Sequence, residues 1–298
     1  MSKIMAVNAG SSSLKFQLLE MPEEIVITEG LVEKIGLEDP NFVIKYNGKK
    51  EEKIVDAKDH AAAVQILLDA LIEKGIVKEL NEIEGVGHRI LHCGEAYTDS
   101  VIMDDEAIRV VESVSDLGPL HNPANLTGVR AFKKALPNVV QVGVFDTSFH
   151  LTMPKESYMY AVPYEWYTKH HVRKYGFHGT SHKYVAAETA KRLGQPIESL
   201  KIITASLAAI KYGKVVDTTM GLTPLDGLPM GTRSGTIDPA IIEFICHKEN
   251  LTVEQVTTIL NKGSGYLGFY LKSSDARELR KAQAEGNEYA DLILRMQE

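Results

Sequence analysis

The chain has 298 residues, 44% hydrophobic and 24% charged, a balance that suits a globular protein with enough chain for two domains rather than one. A net charge of -7 argues against nucleic acid or an anionic membrane as the main partner. Two cysteines, Cys93 and Cys246, exclude a disulfide framework or a four-cysteine zinc site, and the apolar runs are too short for a signal core or a transmembrane helix, so a cytoplasmic protein is expected.

KIMAV (Lys3 to Val7) predicts a strand, NAGSSS follows, and LKFQLLE (Leu14 to Glu20) predicts a second strand. FVIKY (Phe42 to Tyr46), Asn47-Gly48 and KIV (Lys53 to Val55) read as a hairpin with a type I′ turn. From Asp59 to Lys74 the apolar residues recur at helical spacing, and Gly75 is the stop. VGHRIL (Val86 to Leu91) is a buried strand, Asp104 to Val114 a helix, and Asn122-Pro123 opens a helix to about Ala135. VVQVGVF (Val139 to Phe145) is a strand that delivers Asp146 at its carboxyl end, where open α/β sheets gather ligand-binding groups.

Beyond a Pro- and Tyr-rich crossing from Met153 to Tyr167, the pattern restarts. KIIT (Lys201 to Thr204) and KVVDTT (Lys214 to Thr219) are strands, the second entered through the turn Tyr212-Gly213. Asp238-Pro239 caps a helix to about Lys248, Thr252 to Gln255 forms a capping box, and Asp275 to Met296 is helical apart from Gly286. The domains are expected at 1–150 and 151–298.

NAGSSSLK (Asn8 to Lys15) brings a glycine, three hydroxyls, backbone N–H groups and the point charge of Lys15 to one spot between two strands. That is the chemistry of a phosphate cradle, built on strand-turn-strand rather than on a Walker loop. Taken alone, it reads equally well as a polar hairpin loop.

The wider context decides between these readings. NAGSSSLKF, GHRILHCGE (Gly87 to Glu95), GPLHNPAN (Gly118 to Asn125), VFDTSFH (Val144 to His150), RKYGFHGTSH (Arg173 to His182) and MGLTPLDGLPMGTRSGTIDPA (Met220 to Ala240) stand in the order of the acetate kinase family, which the chain resembles along nearly all its length. The resemblance implies an α/β fold of two ribonuclease-H-like (actin-like ATPase) domains around a nucleotide and substrate cleft. It implies transfer of the ATP γ-phosphoryl group to acetate, with Mg2+, in a homodimer. Propionate or butyrate kinase is the neighbouring alternative, and Leu91, Leu120 and Phe177 stand where the family has small-pocket residues that favour acetate.

The resemblance also distributes roles. Arg89 would hold the substrate carboxylate, and His121 matches a further active-site histidine. Arg233 would stabilise charge on the transferring phosphoryl group, and His178 would donate to one of its oxygens. Fork-shaped guanidinium groups suit both arginine tasks, because a carboxylate attacking a triphosphate needs neutralisation and alignment rather than covalent participation. Asp146 matches the family's acid/base position. Acetate is already ionised at neutral pH, so orienting an arginine or a magnesium-bound water is the more economical role. Asn8 would hold magnesium through water. Ser11, Ser12, Ser13 and Lys15 would take the nucleotide phosphates, and Asp275, Ala276 and Arg277 match a further nucleotide contact. His178 and His182 have a metal-ligand spacing, but Gly179 and Thr180 weigh against a settled helix there, and no third ligand suggests itself.

Two departures from the family stand out. The resemblance implies a second phosphate loop, Cys-His-Leu-Gly-Asn-Gly, after KIIT, yet the chain runs KIITASLAAIKYG (Lys201 to Gly213), which reads as extended without a turn signal. The family's C-terminal quarter is also expected beyond Glu298, leaving the second domain incomplete. Impaired nucleotide handling is the expected consequence, with a non-catalytic carboxylate-binding remnant as the reading from a different class.

Overall fold

The computed structural model describes residues 1–297. They form two compact units, Met1–Leu151 with Gly179–Lys183, and Thr152–His178 with Tyr184 onward.

The first unit is built on strands β1 (Ser2–Ala9), β2 (Ser13–Met21), β3 (Ile25–Glu33), β4 (Asn41–Tyr46) and β5 (Lys49–Ile54), then helix α1 (His60–Glu73) and β6 (Ile83–Ile90). β7 (Val101–Ile102), α2 (Asp105–Ser113), α3 (Asn122–Ala135) and β8 (Val140–Phe145) complete it. The eight strands make one sheet in the order β5-β4-β3-β2-β1-β6-β8-β7. β1 is its pivot, antiparallel to β2 and parallel to β6, which in turn runs parallel to β8.

Local chemistry explains these elements. Leu14, Phe16 and Leu18 of β2 are buried at period two, facing the same core as Met5, Val7 and Ala9 of β1. Asn47 (φ 47°) and Gly48 (φ 73°) make the β4–β5 turn with both central residues left-handed, as a type I′ hairpin requires. α1 starts where the Asp59 carboxylate accepts the Ala62 N–H and buries Ala63, Val64, Leu67, Leu68 and Leu71 at helical spacing. α3 opens at Asn122-Pro123 and packs Leu126, Val129 and Phe132 inward. The carboxyl ends of β1, β6 and β8 therefore share one edge, with Asn8, Arg89 and Asp146 on or next to it.

The second unit begins with α4 (Lys155–Tyr158) and α5 (Tyr164–His170), followed by α6 (Gly179–Leu193), whose first turn belongs to the first unit. β9 (Lys201–Thr204), β10 (Ala208–Lys211) and β11 (Lys214–Thr218) form an antiparallel sheet. α7 (Ala240–Glu249), α8 (Val253–Lys262), α9 (Gly265–Tyr270), α10 (Ala276–Ala284) and α11 (Glu288–Arg295) follow. Thr252 and Gln255 make the expected reciprocal capping box on α8. Tyr266, Leu279, Ala282, Ala290 and Ile293 form a small core among the last three helices.

Two expectations need correction. KIITASLAAIK is not one extended run: the chain reverses at Ala205–Leu207, and Thr204 pairs with Ala208. No glycine helps, so Ser206 (φ 71°) and Leu207 (φ 35°) enter the left-handed region themselves. The turn is held because the Leu207 carbonyl accepts from Thr219 N (3.0 Å) and Thr218 Oγ1 (3.0 Å), and the Ser206 carbonyl accepts from Thr219 Oγ1 (3.0 Å). Gly179 and Thr180, expected to prevent a helix, instead open α6. His178 (φ 58°) turns the chain into it, and the Gly179 N–H finds its acceptor in the Asp146 carbonyl at 2.8 Å. A side chain at Gly179 would put its Cβ 2.4 Å from that carbonyl, so the close approach itself requires glycine.

Candidate active site

Arg89 extends from the end of β6 onto the Asp146 carboxylate. Its Nε lies 3.0 and 3.2 Å from the two carboxylate oxygens and its Nη2 lies 2.6 Å from Oδ2, a two-pronged fork. Asp146 is 2% exposed, so Arg89 is the counter-ion that makes its burial tolerable. The same contact raises the Arg89 pKa further above its ordinary value, and this guanidinium is charged at any working pH. Its Nη1 points to the Asn8 side-chain oxygen at 3.5 Å. Three of the expected residues, from three strand ends, thus meet through one arginine.

Asn8 stands opposite Lys15 in the β1–β2 register, so their side chains share a face of the sheet. The turn between them carries Ser11, exposed, and Ser12 and Ser13, half-buried. Gly10 N–H closes this turn on the Ser13 carbonyl at 2.8 Å. His121 occupies the N-cap of α3, where its carbonyl accepts from Asn125 N at 2.8 Å. Leu91 is buried and Leu120 is 71% exposed.

The remaining candidates belong to the second unit. His178 is half-buried and left-handed, and Phe177 beside it is fully buried. Arg233 is half-buried; burial lowers its pKa, and among the described residues no carboxylate pairs with it. A desolvated cation without a counter-ion is costly unless an anion is to be bound. Asp275 caps α10 by accepting the Arg277 N–H at 2.8 Å, and the Arg277 fork folds back on the same carboxylate. That contact and the cap lower the Asp275 pKa to about 2. Ala276 follows as the first residue of α10.

Sequence reasoning passed over His60 and Asn125. The His60 Nε2 lies 2.7 Å from the Gly10 carbonyl. Asn125 donates from Nδ2 to the Ala9 carbonyl at 2.6 Å and accepts the Leu91 N–H on Oδ1 at 3.0 Å. Asn125 stands in a motif rich in polar residues, GPLHNPAN, which is the available signal; for His60 the sequence carries none.

Among the described residues no three His, Cys, Asp or Glu side chains cluster closely enough to hold a metal ion. No helix among them is long and apolar enough to cross a membrane.

Comparison with known proteins shows the family and the fold. The family model described as "Acetokinase family" matches residues 3–297. The acetate kinase of Bacillus velezensis is 56% identical over 300 residues, covering 99% of this chain and 76% of the relative. Since 300 exceeds the 298 residues of the chain, the relative carries residues within the matched region that this chain lacks. Among solved structures, Porphyromonas gingivalis acetate kinase superposes with a TM-score of 0.96 at 45% identity, over 100% of this chain and 77% of that one. A Francisella tularensis propionate kinase follows at 0.93 and 40%, with the same coverage. The fold is that of these kinases, an actin-like ATPase fold. The chain belongs to the acetokinase family.

Proposed function

We infer that the chain transfers the γ-phosphoryl group of ATP to acetate, giving acetyl phosphate and ADP, and that the reaction is reversible. The observation that carries this reading is the Arg89–Asp146 fork at the carboxyl ends of β6 and β8. Asp146 uses up one edge of the guanidinium and fixes its plane, and the remaining N–H groups are left to take a carboxylate. Acetate oxygen then attacks the γ-phosphorus in line while the bond to the β-phosphate oxygen breaks. No proton has to move, which suits an Asp146 that positions an arginine rather than acting as a base.

Arg233 serves the charge that builds on the transferring group, a role favoured by its burial without a counter-ion. His178 donates to the same group, and His121 assists at the carboxylate. The first phosphate grip is Ser11–Ser13 with Lys15, and Asp275, Ala276 and Arg277 are nucleotide contacts. We take the domains as 1–150 and 151–298, although Leu151 and Gly179–Lys183 group with the first compact unit. Mg2+ would accompany ATP and lower the charge of its phosphates. The Asn8 amide oxygen suits it as a neutral acceptor that would take a hydrogen bond from a magnesium-bound water. A homodimer in the cytoplasm completes the reading.

Propionate remains a second acceptor to exclude, because a propionate kinase superposes so closely. Trapping the acyl phosphate as hydroxamate with acetate, propionate and butyrate in turn tests the assignment. The highest kcat/KM is expected for acetate, and an equal value for butyrate would remove it.

A further inference from the structure

An anion-binding turn must show its N–H groups and hide its carbonyls, since an outward carbonyl repels a phosphate oxygen. The peptide unit is planar, so fixing one carbonyl also aims the next residue's N–H the opposite way. In the turn after β1 four carbonyls are held this way. Ala9 O is held by Asn125 Nδ2 at 2.6 Å, Gly10 O by His60 Nε2 at 2.7 Å, Ser12 O by Ile35 N at 3.0 Å and Ser13 O by Gly10 N at 2.8 Å. Among the described residues, nothing accepts the N–H of Ser11 or Ser12.

We propose that His60 is a positioning residue of this phosphate loop, holding the Gly10–Ser11 peptide so that the Ser11 N–H faces the nucleotide phosphates, while Asn125 fixes the preceding Ala9–Gly10 peptide, whose Gly10 N–H closes the turn on Ser13 O. The inference rests on the function proposed above and deepens it. A carbonyl can only accept, so Nε2 of His60 carries the proton. The ring is 8% exposed in the first turn of α1, rooted in a helix that packs against α3, and is therefore a rigid donor 50 residues away in sequence. Asn125 is placed with equal care. One turn further along α3, a Cβ on Gly128 would stand 2.7 Å from the Ala9 Cβ, so only glycine lets the helix lie close enough to β1 for Asn125 to reach.

The test compares His60→Leu, which removes the donor, with His60→Gln, which keeps one at similar reach. In His60→Leu the KM for MgATP should rise about tenfold, as expected for one lost hydrogen bond, with the KM for acetate unchanged. His60→Gln should recover most of that loss. Amide hydrogen exchange on the same proteins should show the Gly10 N–H exchanging at least about tenfold faster in His60→Leu, with the β6 and β8 amides unaltered. Equal rises in both KM values, no rescue by glutamine, or unchanged Gly10 exchange would each overturn the proposal. If the unsubstituted chain makes no acetyl phosphate, it is the proposed function that fails, and Gly10 exchange alone then decides whether His60 positions the loop.

Discussion

The turn after β1 and the turn after β9 both join antiparallel strands, and they are opposites in chemistry. The first, between Ala9 and its partner Leu14, holds a glycine and three serines, with carbonyls tied down by His60, Asn125 and Ile35. The second, between Thr204 and Ala208, has no glycine, forces Ser206 and Leu207 to positive φ, and is sealed by Thr218 and Thr219. The strand pairing is the same, so pairing alone does not set the two turns apart. The length of the turn and the direction in which its peptides are locked do, and on these rests the phosphate binding proposed for the first turn.

The largest effects are expected from removing Arg89 and Arg233. Arg89→Ala should raise the KM for acetate by about 10–100-fold, the worth of charge-assisted hydrogen bonds, with a smaller effect on kcat. Arg233→Ala should lower kcat by about 10²–10³, because the role proposed for it needs its charge chiefly in the transition state. Steady-state kinetics on both variants decides, and the same pattern in each would refute the division of roles. Arg89→Ala also strips Asp146 of its counter-ion, so Arg89→Lys, which keeps the charge but loses the fork, belongs beside it.

A smaller effect is expected from His88 in the first unit. Burial lowers the pKa of His88 from 6.5 to about 4, with its Nε2 2.7 Å from the Gln141 side-chain oxygen. Between those pH values the unfolded chain binds a proton that the folded chain refuses, so stability falls as pH drops from about 6.5 towards 4. The loss from this group approaches about 3 kcal/mol. Urea unfolding at pH 7 and pH 5 should show that slope, and His88→Gln should flatten it; an unchanged slope would contradict the neutral buried ring.

The smallest effect concerns the second turn. Ser206→Gly should stabilise the protein by about 1 kcal/mol, since glycine occupies φ near 71° without the Cβ penalty. A lowered denaturation midpoint would show that the turn carries no such strain.

Much of this molecule is legible in its residues, because the signals concerned are local. The Asn47-Gly48 turn, the Asp59 cap, the Pro123 helix start and the Thr252 box each act within four residues. The start of α6 is not legible locally because Gly179-Thr180 breaks a helix in isolation, and only the Asp146 carbonyl, 33 residues earlier in number, gives the Gly179 N–H its partner. KYVAAETAKRLG, rich in helix formers and ended by Gly194 (φ 64°), was the signal available. The turn at Ser206 could not be read either, since threonines on β11 and just beyond hold it. In the site, residue types were readable, but pairing was not: Arg89 and Asp146 are 57 residues apart.

The most direct test of the contrast between the two turns restores what the second lacks. Cys-His-Leu-Gly-Asn-Gly is inserted between Thr204 and Ala205, and acetyl phosphate formation is measured beside the 298-residue chain. The account predicts a rate higher by about 10²–10³ in the insertion variant, the cost of losing such phosphate donors. Equal rates in the two proteins would contradict it.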